Sequence, residues 1–427
     1  MIKYLLNIIL LTLVQSYLYG QNDLNYYIVQ AKTHSPLIAD YKNQSESNKI
    51  ELDRLKAQYT KSQVTFIAGL AVSPIINRDS GKAMLQLSPK DATKYNGYDI
   101  AASNGGVYQA MVNINQPLFN GSKLRMASDQ TYVAGQINQN SIKLTEHDIE
   151  KIVGDQYILC LQDQKKNSYI EQLIQLIADQ IAIINKLVEN GLLKQSDLLL
   201  INIEKKTQLN LLSMFKSTYR RDLMDLNILC GINDTSFIKL TEIDLQIKTP
   251  NIQSNFTEKY RLDSLNLLAI QNNFELKYKP QLNSFANAGS NGVYVPTLPN
   301  RFGFSAGLNF SLALYDGHQK TLNRTKTALL INSTQSYKTY FINQNTIRKN
   351  KYLTEISSLN ERIVTSNDLL NDYKQLLDYY KKEVVTGQQS VSTDILTIKN
   401  LALLQRDYVL MQTNKQLLIN TYNYWNW

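Results

Sequence analysis

The stretch Gln116-Pro117-Leu118-Phe119-Asn120-Gly121 decides the fold, because a related stretch, Leu314-Tyr315-Asp316-Gly317, ends 196 residues later. Gly121 lies 70 residues before Gly191, and Gly317 lies 70 residues before Gly387, so the second interval repeats the first. We interpret the chain as an internal duplication in which each copy joins short alternating strands to a very long helical stretch. This pattern favours an extended structure over the compact domain of a typical enzyme.

The eight prolines of the 427-residue chain are unevenly placed, and residues 118–249 and 300–427 contain none. An interior proline removes a backbone hydrogen-bond donor and clashes with the preceding turn, so very long helices are permitted only in these two regions. A helix of about 70 residues rises roughly 100 Å, which exceeds the width of a small domain. We predict long helices at residues 122–190, 197–230, 318–386 and 393–422, and shorter helical segments at residues 22–59 and 258–277.

The first twenty residues have the features of an export signal. Lys3 supplies the positive start, residues 5–14 form the apolar centre, and Gly20 marks the predicted cleavage point, so we expect the mature chain to begin near Gln21. No later run of about 18 apolar residues is present in the sequence. We therefore expect any membrane insertion of the mature chain to use strands.

Strand patterning is clearest at residues 302–314, where large apolar side chains alternate with small or polar ones. A period of two over about a dozen residues is typical of a transmembrane strand with lipid on one side and a wet lumen on the other. Weaker patterns occur at residues 64–72, 108–114 and 281–293. We predict two strand hairpins, at about residues 62–119 and 281–315, with a loop at residues 74–104 in the first.

Four strands are too few to close a barrel around a lumen. Open strand edges in hydrocarbon leave backbone amides unpaired, at a cost of several kcal/mol each, so a membrane-inserted chain must associate with copies of itself. The alternative is a soluble four-stranded sheet packed on helices. The direct connection of both hairpins to the long helices, at Gly121 and Gly317, argues against that alternative.

The long helices reverse direction at two glycine turns. Gly191 ends the first outgoing helix, and Ser196 and Asp197 are predicted to cap the return helix. Gly387 ends the second outgoing helix, and Ser392, Thr393 and Asp394 are predicted to start its return helix. Apolar residues recur at intervals of three, four and seven along these helices, which predicts lateral, coiled-coil-like packing. The predicted organisation is a signal peptide (1–20), a first repeat (21–231), an equatorial linker (232–256) and a second repeat (257–427).

The sequence offers little for catalysis or metal binding. Its two cysteines, Cys160 and Cys230, and its three isolated histidines form no metal-type motif, and neither a glycine-rich phosphate loop nor a Gly-x-Ser-x-Gly elbow is present. We predict no catalytic residues, no metal and no cofactor. Cys160 and Cys230 are interpreted as buried small hydrophobes, with a disulfide as the alternative.

The formal net charge of +9 is spread along the helices, and together with the export signal it argues against a nucleic-acid partner.

With these motifs in place, the chain resembles the TolC-like outer-membrane efflux proteins, also called outer membrane factors, over essentially its whole mature length. The resemblance rests on residues 116–121 and 314–317 at the strand-to-helix junctions, on residues 190–199 at the first turn, and on residues 387–396 at the second. It implies a membrane α+β fold: a trimeric, twelve-stranded outer-membrane β-barrel with four strands per chain, continuous with a long periplasmic α-helical barrel of coiled-coil hairpins.

The resemblance also implies partners and sites. The expected partners are two further copies of the chain, outer-membrane lipid, a periplasmic adaptor and an inner-membrane pump such as an RND or ABC transporter. An adaptor is expected to dock at the helical tips, at Gly191, Leu192, Leu193, Gly387 and Gln388. Asp197 and Asp394 are expected at the pore entrance; Asp394 matches an acidic position of the family, although Thr397 stands where a second acid can follow it. Capping of the return helices is the alternative role for both acids.

The function that follows from the resemblance is a passive duct. We expect the outer-membrane channel-tunnel of a tripartite efflux or type I secretion system, which carries small molecules or proteins and is opened at its periplasmic tip by an adaptor and a pump. The alternative is a coiled-coil structural protein of the envelope without a channel, which would have no use for strands with a lipid-facing alternation. The sequence does not distinguish drug, metal or protein as the cargo.

Overall fold

The computed structural model of the chain describes residues 23–87, 91–98 and 106–427. The predicted signal peptide at residues 1–20 lies outside these residues, as do parts of the predicted loop at residues 74–104. Contacts among the described residues divide the chain into two units, and each unit takes segments from both predicted repeats. The first unit comprises residues 23–42, 140–258 and 337–427, and the second comprises residues 43–139 and 259–336.

Seven α-helices lie in the described parts of the chain, and four of them are long. The predicted helices at residues 122–190 and 318–386 run from Gly121 to Glu189 and from Gln319 to Val385. The helix expected over residues 22–59 is instead two helices, because Pro36 restricts Ser35 to an extended conformation (φ −67°, ψ 115°). In chain order the helices are α1 (Leu24–His34), α2 (Pro36–Thr60), α3 (Gly121–Glu189), α4 (Gln195–Cys230), α5 (Glu258–Glu275), α6 (Gln319–Val385) and α7 (Val391–Trp425).

Two large apolar clusters, and a third small one of Ile356, Ile419 and Tyr422, hold the first unit together. The larger cluster joins α3, α4, α6 and α7 through side chains such as Ile177, Ile201, Leu377 and Ile398, in keeping with the predicted lateral packing. The smaller of the two large clusters joins α1, α3 and α4 to the segment that follows α4. Cys160 and Cys230 belong to this smaller cluster, and both are buried and unbonded, so the disulfide alternative is not found. Burial raises the pKa of the Cys230 thiol to about 12.

Residues 232–254 lie against the helices of the first unit without regular secondary structure. Side-chain amides of the helices take the place of a neighbouring strand, because they donate to and accept from the backbone of this segment. Gln164 of α3 pairs with both backbone groups of Leu240, and two amides of α7 and that of its C-cap, Asn426, accept from backbone N–H groups further along. The amides are those of Gln164, Gln416, Asn423 and Asn426, which accept from the backbone N–H groups of Leu240, Leu245, Lys248 and Asn251 at 2.7–3.0 Å.

The second unit contains a four-stranded antiparallel sheet with the strand order β1-β5-β6-β7. Its strands are β1 (Gln63–Val72), β5 (Gly106–Leu118), β6 (Gln281–Gly292) and β7 (Phe302–Ser311). The alternation at residues 302–314 extends beyond the strand, because β7 ends at Ser311. Both predicted hairpins are present, and β5 and β6 join them into one sheet.

The predicted loop at residues 74–104 contains a second, small sheet that the sequence pattern did not reveal. Three short strands, β2 (Ile75–Asn77), β3 (Met84–Gln86) and β4 (Tyr95–Asn96), pair in the order β3-β2-β4. The Asp79 carboxylate fixes the loop because it accepts from the backbone N–H and hydroxyl of Thr93 and from the N–H of Lys94, at 2.6–2.7 Å. These bonds lower the pKa of Asp79.

Candidate functional site

The four-stranded sheet has one apolar face that nothing in the described chain covers. The pairing register aligns the apolar residues across the strands, so that Phe66 lies opposite Val112, Val112 opposite Ala288, and Ala288 opposite Phe304. Residues directly opposite each other point to the same face of a sheet. Phe66 is 69% exposed and Phe304 is 88% exposed. An exposed apolar surface of this kind marks a contact with lipid or with another protein.

The opposite face of the same sheet carries mainly small and amide side chains, together with the larger apolar residues Ile67, Met111 and Phe285. One row across the four strands consists of Thr65, Asn113, Asn287 and Ser305, and the Ser305 hydroxyl donates to the Asn287 Oδ1 at 2.8 Å. None of the residues in β1, β5, β6 and β7 is an Asp, Glu, Lys or Arg. The sheet therefore separates an apolar surface from an uncharged surface that is richer in hydrogen-bonding side chains.

Two strands of this sheet have a free edge. In the described residues, β1 pairs only with β5 and β7 pairs only with β6. A long edge strand exposes a row of unpaired backbone N–H and C=O groups, which soluble proteins protect with charges, prolines or bulges. Neither β1 nor β7 contains a charged residue or a proline. Both edges are therefore suited to pairing with another chain.

The first helical turn joins α3 to α4. Gly191 adopts a left-handed conformation (φ 73°), and the N–H of Leu192 donates to the Leu187 carbonyl at 2.8 Å, which closes the end of α3. Leu192 is 69% exposed, whereas Leu193 packs partly against the larger apolar cluster. The turn therefore presents Gly191 and Leu192 to the outside.

Asp197 stabilises the start of α4 from the third position of the helix, and it is not the N-cap residue. Lys194 occupies the N-cap position, and the Asp197 carboxylate accepts from the Lys194 backbone N–H at 3.2 Å. This contact is the acidic half of a capping box. The capping role predicted for Asp197 is confirmed in this form, while Ser196 lies inside the first turn of the helix and is not the cap.

The second turn joins α6 to α7 with the same backbone geometry. Gly387 has φ 75°, and the N–H of Gln388 donates to the Glu383 carbonyl at 2.9 Å. Both Gly387 and Gln388 are exposed. The N-cap is Ser390, whose hydroxyl accepts from the N–H of Thr393 at 3.2 Å. Ser392, Thr393 and Asp394, predicted to start the return helix, lie within its first turn, because the helix begins at Val391. The alternative capping role of Asp394 is wrong, since Ser390 is the cap.

Asp394 lies inside the helical packing, where it is only 2% exposed. Its Oδ1 accepts from the Gln180 Nε2 of α3 at 3.3 Å, and Gln180 is itself 5% exposed. Burial raises the pKa of Asp394 to about 6, against the opposing effect of the Gln180 amide. The structure thus places the two sequence-predicted acids in different environments: Asp197 at the surface of one turn, and Asp394 in the core beside the other.

Gln180 is the residue of this site that the sequence analysis missed. It lies in the row Leu173, Ile177, Gln180, Ile184 and Leu187, whose spacing of four, three, four and three defines the packed seam of α3. A single amide in an otherwise apolar seam is the signal that identifies it, because such a residue needs a polar partner from a facing helix. Its Oε1 is buried and accepts no hydrogen bond among the described residues.

The described residues contain neither a membrane-crossing helix nor a metal-binding cluster. No helix in them combines the length and the apolar character that crossing a membrane requires. They also contain no group of three or more His, Cys, Asp or Glu side chains placed to hold a metal ion.

Comparison with solved structures identifies the fold. The outer membrane protein VceC of Vibrio cholerae matches with a TM-score of 0.69 and 14% identity, over 94% of this chain and 96% of VceC. The CmeC outer membrane channel of Campylobacter jejuni matches with a TM-score of 0.66 and 11% identity, over 94% of this chain and 85% of CmeC. The open MtrE outer membrane channel of Neisseria gonorrhoeae matches with a TM-score of 0.64 and 10% identity, over 94% and 88% of the two chains.

No protein-family model matches the chain, and no curated protein sequence matches it significantly. At identities of 10–14% the likeness to the solved structures shows the fold. The resemblance inferred from the sequence is therefore confirmed at that level: the chain has the fold of these outer-membrane channels.

Proposed function

We propose that the chain is the outer-membrane channel-tunnel of a tripartite efflux or type I secretion system. It would act as a passive duct without chemistry of its own. The observation that carries the proposal is the four-stranded sheet, with one exposed apolar face, one uncharged face that is richer in hydrogen-bonding side chains and two unprotected edges. The shared fold with three outer-membrane channels supports it.

In this proposal three copies of the chain close a twelve-stranded barrel. Pairing of β1 of one copy with β7 of the next would satisfy both free edges, which hydrocarbon requires. The face that contains Phe66 and Phe304 would contact lipid, and the row that contains Asn113 and Asn287 would line the lumen. The helices of the three copies would form the periplasmic tunnel.

The exposed helical turns are the proposed docking sites for a periplasmic adaptor. Gly191 and Leu192 at the first turn, and Gly387 and Gln388 at the second, are accessible in the described chain. Leu193 would support the first turn from beneath, through its contact with the larger apolar cluster. The adaptor would connect the duct to an inner-membrane pump that supplies the energy.

Of the two acids proposed for the pore entrance, Asp197 is half-buried at the first turn and Asp394 is buried. Asp394 faces Gln180, so it would reach a pore only after α7 separates from α3. The alternative function, a coiled-coil envelope protein without a channel, leaves the exposed apolar face of the sheet without a partner. No observation on the described residues favours it.

The test is cross-linking between edge strands in the purified, detergent-solubilised protein. A chain with Thr65→Cys in β1 and one of Gly303→Cys, Ser305→Cys or Gly307→Cys in β7 should form disulfide-linked dimers and trimers on mild oxidation. The three β7 positions sample neighbouring registers on the lumen face. Each single-cysteine variant, in the same Cys160→Ala, Cys230→Ala background, is the matched control and should stay at monomer mass on a denaturing gel.

Reconstitution into planar bilayers is the second arm of the same test. The wild-type protein should conduct ions, and cross-linked trimers should conduct as well, because the bond would lie within a closed barrel. A protein that remains monomeric, needs no detergent and gives no conductance would contradict the duct and favour the coiled-coil alternative.

A further inference from the structure

The contact between Asp394 of α7 and Gln180 of α3 is incomplete when Asp394 is ionised. A carboxylate only accepts hydrogen bonds. It can accept from the Gln180 Nε2, which lies 3.3 Å from the Asp394 Oδ1, but it cannot donate a hydrogen bond to the Gln180 Oε1. That oxygen is buried and has no donor among the described residues. A buried acceptor without a donor destabilises the packed state.

A proton on Asp394 removes this deficiency. A carboxylic acid and a primary amide form a reciprocal pair, in which the acid O–H donates to the amide oxygen while the amide N–H donates to the acid carbonyl. Both side chains are more than nine-tenths buried, so water has little access to compete for these bonds. We propose that Asp394 is a proton-binding site and that its protonation locks α7 against α3 near the second helical turn.

No charged side chain offsets the burial of Asp394, because the only causes of its pKa shift are burial and the Gln180 amide. The charged side chains of α3, α4 and α6 near Asp394 bond to other residues, lie in an open groove or are half-buried. Asp179 of α3 accepts from Gln175, and Glu204 of α4 pairs with Lys399 of α7 at 3.3 Å. Of the charged residues of α6 in this region, Asp378, Lys381 and Lys382 line an open groove with Ile183 and Val385, and Glu383 is half-buried.

The direction of the pH effect follows from the raised pKa of Asp394, which is about 6 when buried and 3.8 ordinarily. Ionisation opposes burial, so the contact is strongest below pH 3.8 and weakens as the pH rises through 6. For one proton with these two values, local opening of α7 should be roughly tenfold rarer at pH 5 than at pH 7.5. The lock therefore tightens in mild acid.

Amide hydrogen exchange of the detergent-solubilised protein tests this proposal. We expect backbone protection at residues 391–400, corrected for the intrinsic exchange rate, to be roughly tenfold higher at pH 5 than at pH 7.5. Asp394→Asn should keep high protection at both pH values, because an asparagine amide pairs with Gln180 in the same reciprocal way. Asp197→Asn is the matched control at the other turn and should behave as the wild type in this segment.

Gln180→Leu keeps the test decisive if Asp394→Asn does not fold. Gln180→Leu removes both the Nε2 donor that serves the ionised carboxylate and the Oε1 acceptor that serves the protonated acid, so the size or midpoint of the pH dependence should change; a purely structural role for Gln180 would lower protection by the same factor at both pH values. Equal protection of the wild type at both pH values, or a tenfold change retained in Asp394→Asn, would overturn the proposal. An effect of Asp394 protonation on permeation rests on the proposed function. Hydrogen exchange measures the contact between α3 and α7 whether or not the protein is a channel, so the proton-binding proposal and the channel proposal can fail separately.

Discussion

The two helical turns have the same backbone conformation, but the acidic residues that follow them lie in different environments. Gly191 and Gly387 adopt nearly identical left-handed conformations, and each allows a backbone N–H to close the end of the outgoing helix. The acids that follow them differ: Asp197 accepts a capping bond at the surface, and Asp394 is buried against Gln180. The comparison shows that a repeated turn can retain its shape while one acidic residue acquires a new role.

The two acids differ in burial because the interval from the turn glycine to the acid is one residue longer at the second turn. Six positions separate Gly191 from Asp197, and seven separate Gly387 from Asp394. Asp197 is consequently the third residue of α4, whereas Asp394 is the fourth residue of α7. Each residue of an α-helix turns the side chain by about 100°, so this single step moves the acid from the capping face to the packed face.

The largest expected effect comes from placing a positive charge at each acidic position. Asp394→Lys should destabilise the helical unit by about 3–5 kcal/mol, because it buries a cation without a partner. Asp197→Lys should cost about 0.5–2 kcal/mol, the usual range for a lost cap. Thermal unfolding followed by circular dichroism, on both variants in the same detergent, measures the difference. Equal losses would contradict the distinct environments of the two acids.

The sequence predicted those features that depend on neighbouring residues. The alternation at residues 302–314 is a local pattern, and the strand Phe302–Ser311 follows it. The glycine turns are also local, because Gly191 and Gly387 each supply a conformation that few other residues adopt.

The missed features depend on distant residues or on helix phase. Gln180 and Asp394 are 214 positions apart, so no window of sequence shows that they meet. The small sheet at residues 75–96 has strands of two or three residues, which are too short to show a period. The break at Ser35 was visible in the sequence as Pro36, and the prediction of a single helical segment at residues 22–59 passed over it.

An intermediate effect, on the pH dependence of amide protection, is expected when the acid after Gly387 is moved to the same interval as Asp197 has from Gly191. The double change Thr393→Asp with Asp394→Thr moves the acid back by one residue, to the third position of α7, which Asp197 occupies in α4. The roughly tenfold pH dependence of protection at residues 391–400 should disappear, because the acid then lies at the surface. Asp394→Thr alone is the matched control, since it also removes the buried acid but adds no surface carboxylate.

The smallest expected effect compares the serines at the start of the two return helices. Ser390 caps α7 through its hydroxyl, whereas Ser196 is inside the first turn of α4 and makes no cap. Ser390→Ala should therefore cost about 1 kcal/mol, since the N–H of Thr393 loses its acceptor. Ser196→Ala should change the unfolding free energy by less than about 0.5 kcal/mol, because it leaves the Asp197 contact intact.

Thermal unfolding in one detergent, with both alanine variants beside the wild type, distinguishes the two serines. Thr393→Val adds a second check, because the Thr393 hydroxyl lies 2.9 Å from that of Ser390 while the capping bond uses only the Thr393 backbone. The cap should therefore survive in Thr393→Val and be lost in Ser390→Ala. If Ser196→Ala were the more damaging of the two serine changes, α4 would begin at a different residue, and the one-residue difference in phase between Asp197 and Asp394 would no longer explain their separate roles.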